Sequence, residues 1–304
     1  MSRGRQRGKS GASGRFLLLF LAVAAGVAGY WFCGRRAPEP GKAPLRTSAP
    51  PKAAAPSPRP PESRPSGVPA DFESAGGAAT GVLAVVLDDV GYEEAALSLL
   101  ASLEAPVALS VLPGTPRAAE AVALAKKKGW ELMVHLPMEP ETGKAEPGSI
   151  GAGDDEATIR ARVLAALAAV PGAIGLNNHQ GSKATADPRV MRAVLAVVKE
   201  RGLFFLDSRT TPATAVERVA REMKVPFLAR DVFLDDAATE AKDPAGPAGA
   251  LSASWDRALA LAARNGHAVL IAHPHRESVE FLVGALPELS RRGPRPVRIT
   301  ELLD

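Results

Sequence analysis

Apolar and polar positions divide the chain into three stretches. From Phe16 to Cys33 run eighteen uncharged residues, FLLLFLAVAAGVAGYWFC, and residues 34–79 hold almost no large apolar side chain. From residue 80 onward, short apolar runs alternate with alanine-rich stretches of helical spacing. The runs predict strands at 82–87, 107–111, 131–135, 174–178, 203–207, 226–230 and 268–272. Between them the spacing predicts helices at 92–103, 115–128, 155–169, 187–201, 212–222 and 252–265, with a last one near 276–290. Asp187-Pro188 marks a helix start, and Gly129 and Gly202 mark helix ends. Strands separated by single helices imply a parallel sheet. Seven such units suit a closed or nearly closed barrel better than an open doubly wound sheet.

The N-terminal pattern sets the domain organisation. Residues 1–15 carry Arg3, Arg5, Arg7, Lys9 and Arg15 without an acidic residue, and Arg35 and Arg36 close the apolar run. A run of this length is at the lower limit for a membrane-spanning helix. Tyr30 and Trp31 suit an interfacial aromatic belt, and the basic excess before the run favours an orientation with the C-terminal part exported. A cleaved signal peptide is the competing reading. The length of the run and the Arg35-Arg36 pair favour an uncleaved signal anchor over 16–33. The lone Cys33 follows bulky Tyr30-Trp31-Phe32, which argues against lipoprotein processing, and a single cysteine leaves no internal disulfide. Residues 34–79, rich in Pro, Ala, Ser and Gly, cannot bury enough surface to order themselves and read as a disordered spacer. Residues 80–304 are long enough for one sizeable domain. The formal net charge of +4 owes much to the basic N-terminal segment, so the globular part is near neutral or slightly acidic. Nucleic acid is therefore not an expected partner.

The candidate chemistry lies at the strand ends. The first strand, Val82-Leu83-Ala84-Val85-Val86-Leu87, runs into Asp88-Asp89. Adjacent carboxylates raise each other's pKa unless a metal, an arginine or a shared proton relieves them. Later strands end in His135, in Asn177-Asn178-His179, in Asp207-Ser208-Arg209, in Arg230-Asp231 leading to Asp235-Asp236, and in His273-Pro274-His275. Four of the five histidines are in this set, and only His267 is elsewhere. In a barrel of parallel strands, function collects at these ends. Each residue also has a plain structural reading: Asn177-Asn178 can satisfy loop backbone, and Arg209 can pair with Asp207. Histidine and carboxylate donors without cysteine suit Zn2+ or another first-row divalent cation. Asp89, His135 and His179 supply three ligands from three strands, Asp88 is placed to take a proton, and His273 to give one.

LDDVG, HLPMEP, GLNNHQGS, FFLDSRT, RDVFLD and IAHPH, in this order, resemble the divergent polysaccharide deacetylase family. The resemblance covers nearly all of 80–304. It implies a distorted (β/α) barrel of about seven parallel strands, here preceded by a membrane helix and a Pro/Ala-rich linker. It implies that Asp88 is the base, Asp89 a metal ligand and His273 the general acid. The superfamily's second motif has two metal-binding histidines one helical turn apart, whereas here His135 is followed by Glu139. Either Glu139 is the third ligand or His179 replaces the missing histidine, and the latter is preferred. No motif places the arginine that orients the base. Arg209, beside Asp207, and Arg230 are the candidates, and Arg209 and Asp207 join Asp88 and His273 in the expected catalytic set. The implied function is a zinc-dependent hydrolase that removes acetyl groups from an N-acetylated envelope polysaccharide. The implied location is the bacterial inner membrane, spanned once by 16–33, with the C-terminal domain in the periplasm. The alternatives are an inactive domain that keeps the fold and binds glycan or protein, and a metal-free glycosidase using Asp88 with a second carboxylate.

Overall fold

The computed structural model describes residues 81–235 and 246–303. The expected membrane segment 16–33, the linker 34–79, residue 80 and Asp236 lie outside the described residues. Among those described, no helix is long and apolar enough to cross a membrane.

The strands are β1 (Val82–Val90), β2 (Ala108–Val111), β3 (Glu131–Met138), β4 (Gly175–Gln180), β5 (Phe204–Asp207), β6 (Phe227–Ala229), β7 (Val232–Phe233), β8 (His267–Ala272) and β9 (Arg295–Val297). The helices are α1 (Glu94–Leu100), α2 (Ala118–Lys128), α3 (Glu156–Ala169), α4 (Pro188–Glu200), α5 (Val216–Met223), α6 (Gly246–Asn265) and α7 (Arg276–Arg292). The strand order is β6-β5-β4-β3-β2-β1-β8-β7, with β9 added to the lower half of β1. Every ladder is parallel. The architecture is an α/β distorted barrel of parallel strands.

Three features depart from the sequence expectation. The strand expected at 226–230 is β6, and the chain then changes partner at Arg230-Asp231 and adds a short unexpected strand, β7. The Arg230 N–H donates to the Asp207 carbonyl at 2.9 Å on the β5 side, and the Asp231 N–H donates to the Val269 carbonyl at 2.9 Å on the β8 side. A single stretch of chain therefore lines both edges of the sheet. Strand β9 was not expected, being three residues long with a proline at its centre. Strands β1, β3 and β4 run past their expected ends at 87, 135 and 178, so the polar residues there are still on regular backbone.

Period-2 alternation makes two cores. Ala84, Val86, Ala108, Met133, Phe204, Leu206, Val269 and Ile271 pack together as the barrel interior. Their neighbours in sequence, such as Val85, Leu87, Leu109, Val134 and Phe205, pack between sheet and helices. The helix boundaries follow side-chain chemistry. Asp155 caps α3 by accepting from the Thr158 N–H at 2.8 Å. Asp187 caps α4 through the Arg189 N–H, with Pro188 at the first helical position. Gly129, at φ 69°, ends α2.

Gly175 sits where a side chain would collide with the Phe204 ring, whose nearest carbon is 2.5 Å from an ideal Cβ. Gly175→Ala is expected to destabilise the protein by about 1–3 kcal/mol through overpacking, read as a lower denaturant midpoint at unchanged slope.

Candidate active site

The site starts from an irregularity in β1. Leu87 pairs with Leu109 and Val90 with Val111, so Asp88 and Asp89 together oppose the single residue Ser110. Asp89 adopts the left-handed conformation, φ 55°, which is uncommon outside glycine. Consecutive residues of a regular strand face opposite sides of the sheet. The extra residue of this bulge redirects Asp89, so both carboxylates reach one histidine. His135 Nε2 is 3.0 Å from Asp89 Oδ1 and 3.8 Å from Asp88 Oδ2.

Strand parity supplies the remaining groups. Asp88, Ser110, His135, Ser208 and His273 each come two residues after a barrel-interior side chain, namely Val86, Ala108, Met133, Leu206 and Ile271. Asn177 pairs in register with His135. Buried Asn177 joins the set together: its Oδ1 accepts from Ser110 Oγ at 2.5 Å and lies 2.9 Å from His135 Nδ1. Its Nδ2 donates to both Asp88 oxygens, at 2.8 and 3.0 Å, and lies 3.2 Å from Ser208 Oγ. An amide oxygen only accepts, so His135 Nδ1 carries a proton, and its Nε2 faces Asp89 at the mouth.

Three donor atoms converge beside Asp88. His179 Nδ1 is 2.8 Å from Asp89 Oδ1 and 3.2 Å from His135 Nε2. Asp89 Oδ1 is buried and makes no hydrogen bond despite the two imidazole nitrogens within 3.0 Å. Donors of a tetrahedral set at about 2.1 Å from a cation lie about 3.4 Å apart, close to the separations seen. Asp89, His135 and His179 thus form a group able to hold a metal ion. His135 is buried, whereas Asp89 keeps a third of its side chain exposed, so the group opens to solvent on one side.

The end of β8 carries His273 into the same region. His273 Nδ1 is 2.8 Å from Asp235 Oδ1, and Asp235 Oδ2 accepts from the His273 N–H and from Ser278 Oγ, each at 2.8 Å. Burial works against charge on His273, yet the bond to Asp235 and the charges of Asp235, Asp88 and Asp89 lift the imidazole to about 9. Burial raises Asp235 as well, but His273 outweighs it and holds that carboxyl below its ordinary range. Burial is also the largest influence on Asp88 and carries it above the ordinary range, with His135, Asn177 and His273 offsetting part of the rise. For Asp89, burial is outweighed by His135 and His179, and the carboxyl is held well below the usual range.

Two residues expected in the catalytic set stand apart from this centre. Asp207 has the opposite parity to Leu206 and Ser208, and its carboxylate accepts from the Arg209 N–H at 2.8 Å and from Thr214. It lines a separate cavity with Arg209, Thr214 and Glu217. Among the described residues, the side chain that donates to both Asp88 oxygens is Asn177. Arg230 instead donates to the Ser208 and Arg209 carbonyls and lies 3.7 Å over the Phe233 ring, which stacks on His273. Of the two alternatives for the third donor, His179 is in the group, while Glu139 accepts from Lys183 and from the Ala152 N–H and so anchors the loop after β3. Ser110, Ser208 and the role of Asp235 were missed. Strand parity would have found the two serines, whereas Asp235 reaches His273 only through the change of partner between β6 and β7.

The family model described as divergent polysaccharide deacetylase matches residues 85–303. The chain belongs to the divergent polysaccharide deacetylase family. Two relatives share 34% identity with this family member. One is an uncharacterized protein of Haemophilus influenzae, aligned over 208 residues that cover 68% of this chain and 71% of the relative. The other is the uncharacterized protein YibQ of Escherichia coli K12, aligned over 203 residues, 66% of this chain and 61% of YibQ. The crystal structure of the uncharacterized protein ATU2773 from Agrobacterium tumefaciens shares the fold, at TM-score 0.68 and 22% identity, over 75% of this chain and 91% of that one.

Replacing Asn177 with alanine would leave the His135 Nδ1–H, Ser110 and Asp88 without their buried partner. Asn177→Ala is expected to weaken binding of added zinc about 10- to 100-fold, as loss of an outer partner of a ligand does, and to lower stability by about 1–3 kcal/mol. Calorimetric metal titration and chemical denaturation check the two effects.

Proposed function

We propose that the protein is a metal-dependent hydrolase of the bacterial envelope that removes acetyl groups from an N-acetylated polysaccharide. The observation that carries this reading is the convergence of Asp89, His135 and His179 beside a buried carboxylate, Asp88, on a cavity that His273 also lines. Family membership supports the substrate class. Two imidazoles and a carboxylate without thiolate suit Zn2+. A cation held by these three residues would supply Lewis-acid polarisation of the acyl carbonyl and acidification of water.

The chain's own groups divide the proton work. Asp88, held through both oxygens by Asn177, takes the proton from the attacking water. Its raised affinity for a proton makes it a better base than an exposed aspartate, provided that it is ionised. His273, kept protonated by Asp235, gives a proton to the departing amine. Asp235 also accepts from the His273 backbone and Ser278, so the imidazole is held in one orientation. Residues 16–33 would anchor the chain in the inner membrane, with the catalytic domain in the periplasm facing its glycan.

The first test is metal content and acetate release from N-acetylglucosamine oligosaccharides, on the full-length chain loaded with zinc. His179→Ala should lose the metal and Glu139→Gln should keep it. The reverse pattern would overturn the ligand set. Asp88→Asn should retain metal and lose at least a hundredfold in turnover, the scale of acid–base catalysis. Unchanged turnover would remove Asp88 as base.

A general acid works only while protonated, so activity falls as pH rises through its pKa. With His273 at about 9, the alkaline limb of kcat/KM is expected near there. Asp235→Asn removes the carboxylate that raises His273 and should shift that limb to lower pH. The same sign applies to stability: the contribution of the pair is complete below the ordinary histidine value and is lost as pH rises through about 9. An alkaline limb that does not move in Asp235→Asn would exclude His273 as the acid.

A further inference from the structure

A cavity of about 490 Å³ opens from the site between the loop after β1 and the start of α7. Its walls include Asp89 and His273, together with Tyr92, Glu93, His275 and Glu277. Tyr92 is 47% exposed, and it is the one exposed large hydrophobic side chain among the described residues.

The backbone imposes this exposure. Gly91 has φ 129°, and a side chain there would collide with the Thr115 hydroxyl. The Gly91 carbonyl accepts from the Arg117 N–H at 2.8 Å, and the Val90 carbonyl from the Leu112 N–H at 3.0 Å. The turn is thus packed against the loop after β2, and Tyr92 is presented from a fixed base three residues beyond Asp89.

We infer that Tyr92 is the stacking platform for a neutral pyranose ring of the substrate, at or beside the sugar that bears the reacting acetamide. The inference rests on the glycan-hydrolase reading above. A pyranose has a face of C–H bonds and a rim of hydroxyls. A tyrosine ring offers a flat apolar surface to that face, at low conformational cost for a fixed side chain. Glu93 and Glu277 on the same walls can accept from rim hydroxyls, and His275 adds a further polar group. Glu146 is near enough for its charge to act on Tyr92. Of the cations on these walls, Arg276 is paired with Glu280 and His273 with Asp235. This acidic surround selects an uncharged sugar over a carboxylated one.

The test is calorimetric binding of chitotetraose, the neutral tetramer of N-acetylglucosamine, to the zinc-loaded full-length chain. The measurement is made in an Asp88→Asn background to stop turnover, with metal content determined on the same samples. Tyr92→Ala is expected to weaken binding about tenfold at unchanged metal content, and Tyr92→Phe to restore the parent affinity. Equal affinity in Tyr92→Ala and parent would overturn the platform while leaving the hydrolase reading intact. An equal loss in Tyr92→Phe would assign the effect to the hydroxyl and overturn stacking. Failure of the parent to bind the tetramer would overturn the platform, and if the wild type also released no acetate from it, the reading of function would fall too. Carboxymethylated chitotetraose should bind more weakly than the neutral sugar; tighter binding would overturn the choice of a neutral ring.

Discussion

Two carboxylates on consecutive residues of one strand repel each other, and the site is organised around keeping them together. A regular β1 would have separated them, with Asp88 inside the barrel and Asp89 toward the helices. The bulge opposite Ser110 brings both to the mouth at the expense of a left-handed aspartate. Each then meets a different answer to its charge. Asp89 faces two imidazoles and is held ionised, whereas Asp88 faces a neutral amide and is pushed toward protonation. One residue of local irregularity thus gives adjacent carboxylates opposite electrostatic environments.

Asn177 couples these two halves. The same side chain accepts from His135 Nδ1 and donates to both oxygens of Asp88. Ser110 and Ser208 complete its hydrogen bonding, so no part of the amide can rotate without leaving a buried group unsatisfied. An arginine in this place would have stabilised the ionised base by charge. The amide fixes its geometry and leaves its charge to be balanced from the front of the site, by His135, His273 and whatever positive charge the three donors hold.

Much of this was legible in the sequence. Apolar runs of strand length separated by single helices gave the parallel α/β barrel, and the polar residues that end those runs gave Asp88, Asp89, His135, His179 and His273. Reading only where a strand ends, without its parity, is what brought in Asp207 and Arg209. Asp207 follows Leu206, an interior residue, and so belongs to the other face, while Ser208 belongs to the site. Parity was legible too, and it fails only at Asp89, where the bulge breaks it. Asp235 was a different kind of omission. Nothing local to Phe227–Asp235 announces that it leaves β5 for β8, because that exchange depends on which edges the folded sheet leaves open.

That exchange also separates the support of His273 from that of Asp88. The stretch from β6 to Asp235 crosses from one edge of the sheet to the other, so the carboxylate that charges His273 comes from a different wall than the amide that holds Asp88. The two proton-carrying groups therefore share no hydrogen-bond partner. Each nonetheless feels the other's charge, which raises His273 and lowers Asp88. A base and an acid tied to one network would exchange their proton internally. In the proposed mechanism, Asp88 and His273, held by separate networks, would complete the transfer through a substrate placed between them. The Arg230–Phe233–His273 stack braces the same wall, since Arg230 ties the crossing stretch to the loop after β5 while Phe233 lies against the imidazole. The same stretch of chain that bridges the two edges of the sheet thus also positions His273.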